Sequence, residues 1–317
     1  MAIIKPATNK IEPMTVFLSV PPRLQLFHLL AWIAFGWAAS AAGTSFTDSL
    51  GRELSLEGKP QRIVALAPSL TEIVFSLGLG DRLVGVTKFS SYPPEAEQKP
   101  KVGSYVNVNI EKIISLSPDL ILGTVDGNQP EKVALLEQAG LPVFIVNPRT
   151  IREIIDTVAT VGRLCGVSER ATALADNLSS KVDEIVTRTE SLPRPLVFLQ
   201  INPKPIMSIN RNTFLHDLIQ LAGGRNMAAD EPITYPRISI EEVIQRGPEV
   251  ILVSSMERGG DFEAARQQWM RWPLIPAVRN NRVHLIDSDL MDRPAPRVIQ
   301  GLEILARYIH PEVEWDH

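Results

Sequence analysis

The chain has 317 residues, of which 44% are hydrophobic and 21% charged, with a formal net charge of −4 at pH 7. This is the composition of a globular protein long enough to build more than one hydrophobic core. The slightly negative charge provides no basic field for nucleic acid and argues against a nucleic-acid-binding function. The one cysteine, Cys165, cannot form an internal disulfide, and its apolar helical surroundings predict a buried structural thiol.

Residues 1–41 are typical of a cleavable export signal rather than of folded structure. Arg23 precedes an apolar run at 24–42, and Ala39-Ser40-Ala41 fits the small-residue cleavage pattern. The segment is long, and Met14 is an alternative start. An uncleaved N-terminal anchor is the alternative interpretation, because the apolar run approaches the length of a membrane span. No cysteine stands directly after the cleavage site, so we expect an exported, soluble mature protein without a lipid anchor.

Strands alternate with helices in the first half of the mature chain. Apolar strands are predicted at 62–67, 83–86 and 143–146. Two segments with capping-box spacing, 69–72 and 150–153, predict helix starts. This alternation predicts a mostly parallel α/β sheet, and such sheets bind ligands at the carboxyl ends of their strands.

A segment from 168 to about 191 contains neither Gly nor Pro, and its apolar residues recur at spacings of three and four. This pattern predicts one long amphipathic helix of roughly 35 Å with Ser168 as its N-cap. The predicted organisation is therefore an N-terminal α/β lobe at 42–149, a helical linker at 150–191 and a C-terminal α/β lobe at 192–317.

One helix-turn-strand unit occurs twice, once on each side of the predicted long helix. Residues 108–122 align without a gap with residues 238–252. In both units a capping residue is followed by a carboxylate in the first helical turn, where the helix dipole favours negative charge. These pairs are Asn109 with Glu111, and Ser239 with Glu241. The repeat predicts two similar lobes, with chance similarity as the alternative.

The second half repeats the alternation of the first, with apolar strands predicted at 196–201, 249–253 and 283–286 and a final helix at 296–309. The whole pattern therefore predicts an α/β protein of two Rossmann-like lobes bridged by one long rigid helix. The strand ends of the two lobes are expected to face each other across a cleft.

The sequence lacks the motifs of common enzymes. It has no nucleophile elbow, phosphate-binding loop or H-E-x-x-H motif, and Gly78-Leu-Gly80 lacks the third glycine of a dinucleotide fingerprint. A metal site would depend on His216 and His284, which are scattered and more typical of surface or core histidines.

Aromatic residues are concentrated in the loops that the pattern places at the cleft. They are Phe89, Tyr92, Tyr105 and Tyr235, with Asp289 and Arg293 as polar partners. Broad aromatic walls with few polar groups suit a large, flat ligand. Packing in the core is the alternative role for each aromatic residue.

Several segments resemble the substrate-binding proteins of siderophore and cobalamin ABC importers. These are residues 62–72, 85–86 with 92–94, 109–113, 117–120 and 292–297, and the similarity extends from about 62 to 309. The resemblance implies two α/β lobes bridged by a single long helix, which limits hinge motion. It also implies a monomer without a resident cofactor that docks to the importer's transmembrane subunits through Glu111 and Glu241.

The ligand site of this family corresponds to seven positions here, namely Phe89, Tyr105, Thr124, Tyr235, Asp289, Leu290 and Arg293. Three aromatic rings and the polar pair of Asp289 and Arg293 favour cobalamin or a related corrinoid. Thr124 and Leu290 stand where the family's cobalamin binders carry large aromatic residues. An iron siderophore or heme chelate is therefore the alternative ligand, for which Arg237 and Arg293 provide basic groups.

The resemblance implies capture without chemistry, with the energy for transport supplied by a separate ATPase. Two other classes stay open from the sequence alone. One is an exported enzyme acting in the same cleft, and the other is a sensor that presents its ligand to a signalling receptor.

Overall fold

The computed structural model describes residues 44–254 and 262–315. The predicted export signal at 1–41, with its cleavage site, lies outside the described residues. Within the described part of the chain, no helix has both the length and the apolar character needed to cross a membrane.

The strands, numbered in chain order, are β1 Thr44–Thr47, β2 Glu53–Leu56, β3 Ile63–Ala65, β4 Leu83–Val86, β5 Leu120–Thr124, β6 Val143–Val146, β7 Leu196–Gln200, β8 Asn202–Pro203, β9 Ile206–Met207, β10 Arg225–Asn226, β11 Val250–Val253 and β12 Val283–Leu285. The helices are α1 Pro68–Ser76, α2 Ile110–Ser115, α3 Pro130–Gln138, α4 Ile151–Leu164, α5 Ser168–Thr189, α6 Phe214–Leu221, α7 Ile240–Arg246, α8 Phe262–Met270, α9 Pro276–Arg279, α10 Ser288–Met291 and α11 Val298–Ile309.

Each half of the chain forms a parallel four-stranded sheet. The order is β4-β3-β5-β6 in the first sheet and β10-β7-β11-β12 in the second, and all neighbouring strands run parallel. Since β3 and β7 are each the first strand of their sheet in sequence, the two orders are the same topology used twice. We call the part built on the first sheet the first lobe and the part built on the second sheet the second lobe.

Alternate residues of the central strands pack into different cores. In β3, Ile63 and Ala65 join the largest hydrophobic cluster, whereas Val64 belongs to a core of the first lobe alone. In β7, Val197 joins the largest cluster and Phe198 belongs to a core of the second lobe. Because strands covered on both faces bury every residue, they appear in the sequence as continuous apolar runs. The largest cluster contains residues of both sheets, so the lobes share one core.

The long helix is α5, whose 22 residues extend about 33 Å. It packs along α4, and Gly162 of α4 lies so close to Ala171 that a Cβ atom there would overlap the Ala171 side chain. The predicted capping role of Ser168 is wrong. The Val167 carbonyl already accepts the Ala171 N–H at 3.1 Å, so the helix begins one residue earlier than that role requires.

The helix-turn-strand repeat is present in both lobes. The Asn109 side chain accepts the Lys112 N–H, and the Ser239 hydroxyl accepts the Glu242 N–H, as their capping positions predict. Ser117 and Gly247, which correspond in the alignment, both have left-handed φ angles, of 45° and 59°. Such a residue at a helix C-terminus reverses the chain towards the following strand.

The acidic residue that precedes each repeated strand ties it to its neighbour. The Asp119 carboxylate accepts the N–H groups of Gln61 and Arg62 at 2.7 and 2.8 Å. The corresponding Glu249 carboxylate accepts the Leu196 N–H at 3.1 Å. The repeat therefore includes the contact that sets the register between the first and third strands of each lobe.

Of the two predicted capping boxes, only one caps a helix. The Thr150 hydroxyl accepts the Glu153 N–H at 3.1 Å, at the start of α4. The box predicted at 69–72 is wrong, because α1 already begins at Pro68 and Ser69 does not cap it. The Glu72 carboxylate instead turns towards two arginines of the second lobe.

Cys165 is buried at the end of α4, as predicted. Burial raises the pKa of the Cys165 thiol to about 12, an effect that Arg82 opposes. The thiol is therefore protonated and unreactive at neutral pH.

Candidate ligand-binding site

The predicted ligand residues lie on loops near the carboxyl ends of the parallel strands of both lobes. Phe89 follows β4 and Thr124 ends β5, while Asp289 and Arg293 follow β12. Tyr235 lies in the loop between β10 and α7. Parallel α/β sheets bind ligands at this edge.

Asn128 organises the first-lobe side of the site. Its side-chain amide donates to the carbonyls of Leu66 at 3.0 Å and Tyr105 at 2.6 Å, and its Oδ1 accepts the Thr124 N–H at 2.8 Å. The Tyr105 ring lies against Gly127, where any Cβ atom would overlap it. The structure thus brings Tyr105 and Thr124 together through a buried residue that the sequence analysis missed, although an Asn directly after Gly127 in a strand-end loop is a signal for such a role.

Tyr235 reaches the same region from the second lobe, with 41% of its surface exposed. Partial burial raises the pKa of its hydroxyl, and the negative charge of Asp126 raises it further, whereas Arg149 lowers it. The Tyr105 hydroxyl also raises the pKa of Tyr235, by less than Asp126 does. The charged groups that act on the Tyr235 hydroxyl thus include residues of the first lobe.

The aromatic loop of the first lobe carries Phe89 and Tyr92. Phe89 is 39% exposed, with the Lys88 ammonium 5.6 Å from its ring centroid. The Arg297 guanidinium of the second lobe lies 3.6 Å from the centroid of the Tyr92 ring, a cation–π contact. Each of the two rings thus has a cation over one face, and both side chains are partly exposed, Phe89 to 39% and Tyr92 to 41%.

Glu72 joins the two lobes beside this loop. Glu72 is 3% exposed as a residue, and its carboxylate accepts hydrogen bonds from Arg293 Nη1 at 2.7 Å and from Arg297 Nε and Nη2 at 2.8 and 2.9 Å. Arg293 Nη2 also lies 2.8 Å from Asp289 Oδ1 and 3.4 Å from the Phe89 carbonyl oxygen. Two carboxylates and two guanidinium groups form one neutral cluster, which we call the interlobe cluster.

The polar pair of Asp289 and Arg293 is thus present as an ion pair, but Arg293 is almost fully buried under Glu72. Glu72 and Asp289 balance the positive charge of Arg293, so its guanidinium is not an unpaired cation facing the cleft. The sequence analysis did not predict that Glu72 and Arg297 belong to this cluster. The available signal was a carboxylate placed between the buried residues Thr71 and Ile73 of α1.

Asp292 is a second acidic group that the sequence analysis missed. Burial raises the pKa of its carboxyl to about 7, while the hydrogen bond from Ser254 lowers it. The Ser254 hydroxyl lies 3.3 Å from Asp292 Oδ2. Asp289 and Asp287 add to the increase, and Arg293 opposes it. Asp292 therefore changes its charge near neutral pH at the edge of the site.

The remaining predicted residues of the site are exposed or partly exposed. Leu290 lies on α10 and is partly buried, and its carbonyl is so close to Gly301 that a Cβ atom there would come within 2.6 Å of the oxygen. Arg237 is exposed, and its backbone pairs with Met207. Arg237 thus provides an exposed basic side chain two residues after Tyr235.

Glu111 and Glu241 are exposed in the first turns of α2 and α7. These helices correspond in the repeat, and each buries one equivalent residue, Ile113 or Val243. Among the described residues, neither glutamate has an ion-pair or hydrogen-bond partner for its carboxylate. The two lobes thus present matching carboxylates to solvent.

The two histidines considered for a metal have other neighbours. His216 lies near Asn226 and Gln220, and His284 stacks on Tyr308 with ring centroids 4.2 Å apart. Across residues 44–254 and 262–315, no group of three His, Cys, Asp or Glu side chains is placed to hold a metal ion.

Two cavities of the protein lie away from the aromatic loops. One of about 400 Å³ lies against β6 and α4 and is lined by Asp48 and Thr157 among others. One of about 390 Å³ lies between α4, α5 and α6 and is lined by Val182 and Asp217 among others. Neither is lined by any of the seven predicted ligand residues.

Residues 63–290 of the chain match the sequence profile of the periplasmic binding protein family. The chain belongs to this family. The resemblance inferred from the sequence motifs is thereby confirmed at family level, and so is the α/β fold with parallel sheets. Membership indicates an exported binding protein, and the proteins similar to it are binding proteins rather than enzymes.

Individual relatives cover most of this binding protein. It is 33% identical over 259 residues to the vitamin B12-binding protein of Vibrio cholerae, a match that covers 80% of this chain and 92% of the relative. The crystal structure of the periplasmic vitamin B12-binding protein of Vibrio cholerae matches with a TM-score of 0.73 at 32% identity, covering 80% of this chain and 97% of the other. The apo periplasmic heme-binding protein from Roseiflexus sp. RS-1 matches with a TM-score of 0.71 at 28% identity, covering 80% and 99%.

Proposed function

We propose that this protein is the substrate-binding component of an ABC importer and that it captures cobalamin or a related corrinoid for delivery to the membrane permease. The observation that carries the proposal is the set of partly exposed rings on loops of both lobes, Phe89, Tyr105 and Tyr235, together with the ion pair of Asp289 and Arg293, whose guanidinium also lies 3.4 Å from the Phe89 carbonyl oxygen. The similarity to a vitamin B12-binding protein and to a heme-binding protein supports a large planar metal chelate as the ligand class.

The aromatic groups would contact the flat part of the ligand. Phe89, Tyr105 and Tyr235 are partly exposed rings on opposite sides of the cleft, and offset stacking on such rings contributes about 0.5–1.5 kcal/mol per pair beyond the buried area. Thr124 and Leu290 are smaller side chains at positions where the resemblance implies large aromatic residues in cobalamin binders, and both are partly exposed here. The ligand is cargo, so the protein binds and orients it without making or breaking bonds.

The balanced charge of the interlobe cluster favours the corrinoid over an anionic chelate. Because Glu72 and Asp289 already neutralise Arg293, this group is better suited to hydrogen-bond a neutral amide than to pair with a carboxylate. Heme or an iron siderophore is the second candidate, and exposed Arg237 and Lys88 are the observation in its favour.

Delivery would use the matching carboxylates of the two lobes. Glu111 and Glu241 are exposed on equivalent helices, as salt bridges with arginines of two transmembrane subunits require. Single exposed ion pairs contribute little, about 0–1 kcal/mol, so recognition would depend on engaging both at once.

Calorimetric titration of the mature protein with cyanocobalamin tests the ligand assignment, with hemin and a ferric hydroxamate siderophore as comparison ligands. We expect saturable 1:1 heat and retained red colour after desalting with cyanocobalamin, and at least tenfold weaker binding of the other two. Preferential binding of hemin or the siderophore would replace the corrinoid by that ligand, and the absence of binding by all three would contradict the proposed function.

A further inference from the structure

The interlobe cluster connects more than two charged groups, because both of its arginines also touch the aromatic loop of the first lobe. Arg293 Nη2 lies 3.4 Å from the Phe89 carbonyl oxygen, and the Arg297 guanidinium stacks on Tyr92. Glu72, on α1 of the same lobe, binds both arginines. The two arginines of the second lobe are thus held between the loop and the helix of the first.

The position of Arg293 also links the loop to the other side of the cleft. Its second partner is Asp289 on α10, at 2.8 Å. Asp289 belongs to the second lobe, and Phe89 belongs to the first. One guanidinium therefore bridges a residue from each side of the candidate ligand site.

The charged side chains of the interlobe cluster are almost fully buried, so their pairing depends on the exact position of the two lobes. The Glu72 side chain is 2% exposed, and the side chains of Arg293 and Arg297 are 10% and 16% exposed. A buried carboxylate is stable only where its partners stay in place, because an unpaired buried charge is strongly unfavourable. Movement of the second lobe away from α1 would expose or separate these charges, so the cluster resists any change in the width of the cleft.

We propose that Glu72 is a positioning residue for ligand capture, which acts through Arg293 and Arg297 to hold the loop of Phe89 and Tyr92 at one distance from the Asp289 side of the cleft. Glu72 has no direct contact with the ligand in this account. The cleft is prepared at its working width before the ligand arrives, which removes an ordering cost from binding. This inference rests on the proposed function for its ligand, whereas the width of the cleft can be measured without one.

The experiment measures the cleft width directly. Gln98 and Gln300 are exposed, one beyond the aromatic loop and one on α11, so spin labels on Gln98→Cys and Gln300→Cys report the distance between the two sides. Cys165 is buried, with its thiol pKa raised to about 12, and does not compete for the label. Pulsed electron paramagnetic resonance is recorded for the otherwise unchanged protein and for E72Q, R297Q and D217N.

D217N is the matched control. The Asp217 carboxylate accepts the Ile151 N–H at 2.7 Å and so ties α6 of the second lobe to α4, without touching the aromatic loop. If Glu72 had a merely structural role, the distance distribution of E72Q would resemble that of D217N. A positioning role would affect the cleft only in E72Q and R297Q.

We expect one narrow distance distribution in the parent and in D217N, and a distribution about twofold broader in E72Q and R297Q. Affinity for the ligand that the parent binds should fall about tenfold in E72Q and R297Q, with D217N within about twofold of the parent. R297Q keeps the ion pair of Glu72 and Arg293. If E72Q does not fold, the distance distribution and affinity of R297Q therefore test the positioning role. Unchanged distributions in the folded variants, or equal broadening in D217N, would overturn the inference. If the parent binds none of the three ligands, the proposed function fails, while the distances still decide whether Glu72 sets the cleft.

Discussion

At the scale of single residues, the burial of Asp292 beside the cleft couples the stability of the protein to pH. Its carboxyl has a pKa of about 7 in the folded protein, against 3.8 ordinarily. Between pH 3.8 and about 7, the folded state therefore keeps the Asp292 proton that the unfolded state has already released. The stabilisation is fully present below pH 3.8 and is lost as the pH rises through about 7.

Asn at position 292 imitates the protonated carboxyl and removes this dependence. We expect the free energy of unfolding of the wild type to fall relative to that of D292N between pH 4 and pH 8, by on the order of 2–4 kcal/mol at about 1.4 kcal/mol per pH unit. Urea denaturation of both proteins across this range measures the difference. Parallel pH profiles would show that Asp292 is ionised throughout the range.

Glu72 and Asp292, two of the residues missed by the sequence analysis, have partners that are remote in the chain. Glu72 satisfies the spacing of a capping box, yet its carboxylate binds Arg293, 221 positions away. Asp292 depends on Ser254, 38 positions earlier. Local patterns such as the caps at Asn109 and Ser239 were predictable because the bond closes within one helical turn. Burial of a single charge depends on the packing of both lobes and leaves no periodic signal.

At the scale of secondary structure, the close packing of α4 on α5 depends on Gly162. A Cβ atom at this position would overlap Ala171. We expect Gly162→Val to lower the free energy of unfolding by roughly 2–3 kcal/mol, because the two helices must separate or bend. Asp156→Ala, at an exposed position of α4, is the control and should change it by less than about 0.5 kcal/mol. Equal stabilities of the glycine and valine proteins in urea denaturation would show that this contact is loose.

The two equivalent helices α2 and α7 carry the proposed docking contacts. We expect the double variant E111A/E241A to abolish uptake of the ligand by cells with the cognate permease, because both charge contacts are lost together. Its affinity for the ligand should stay within about twofold of the wild type, since neither helix contains a predicted ligand residue. Uptake assays paired with calorimetry distinguish these effects. A large loss of affinity would place the glutamates in ligand binding instead.

At the scale of the whole molecule, two copies of one sheet topology share a continuous core and are joined by α4 and α5. The strand alternation, the repeat and the absence of Gly and Pro from 168–189 made this architecture predictable from the sequence. The cleft itself was less predictable, because its walls are loops whose positions depend on Asn128 and on the interlobe cluster. The shared core and the cluster both favour a cleft of fixed width over a wide hinge motion.

The central claim is that a flat chelate is gripped between rings of the two lobes. The most direct test is calorimetric titration of cyanocobalamin into the wild type, Tyr105→Ala, Tyr235→Ala and the double variant. We expect each single variant to weaken binding about tenfold or more, and the double variant to weaken it at least as much as the two together predict. Wild-type affinity in the double variant would contradict the account, because the ligand would then bind elsewhere.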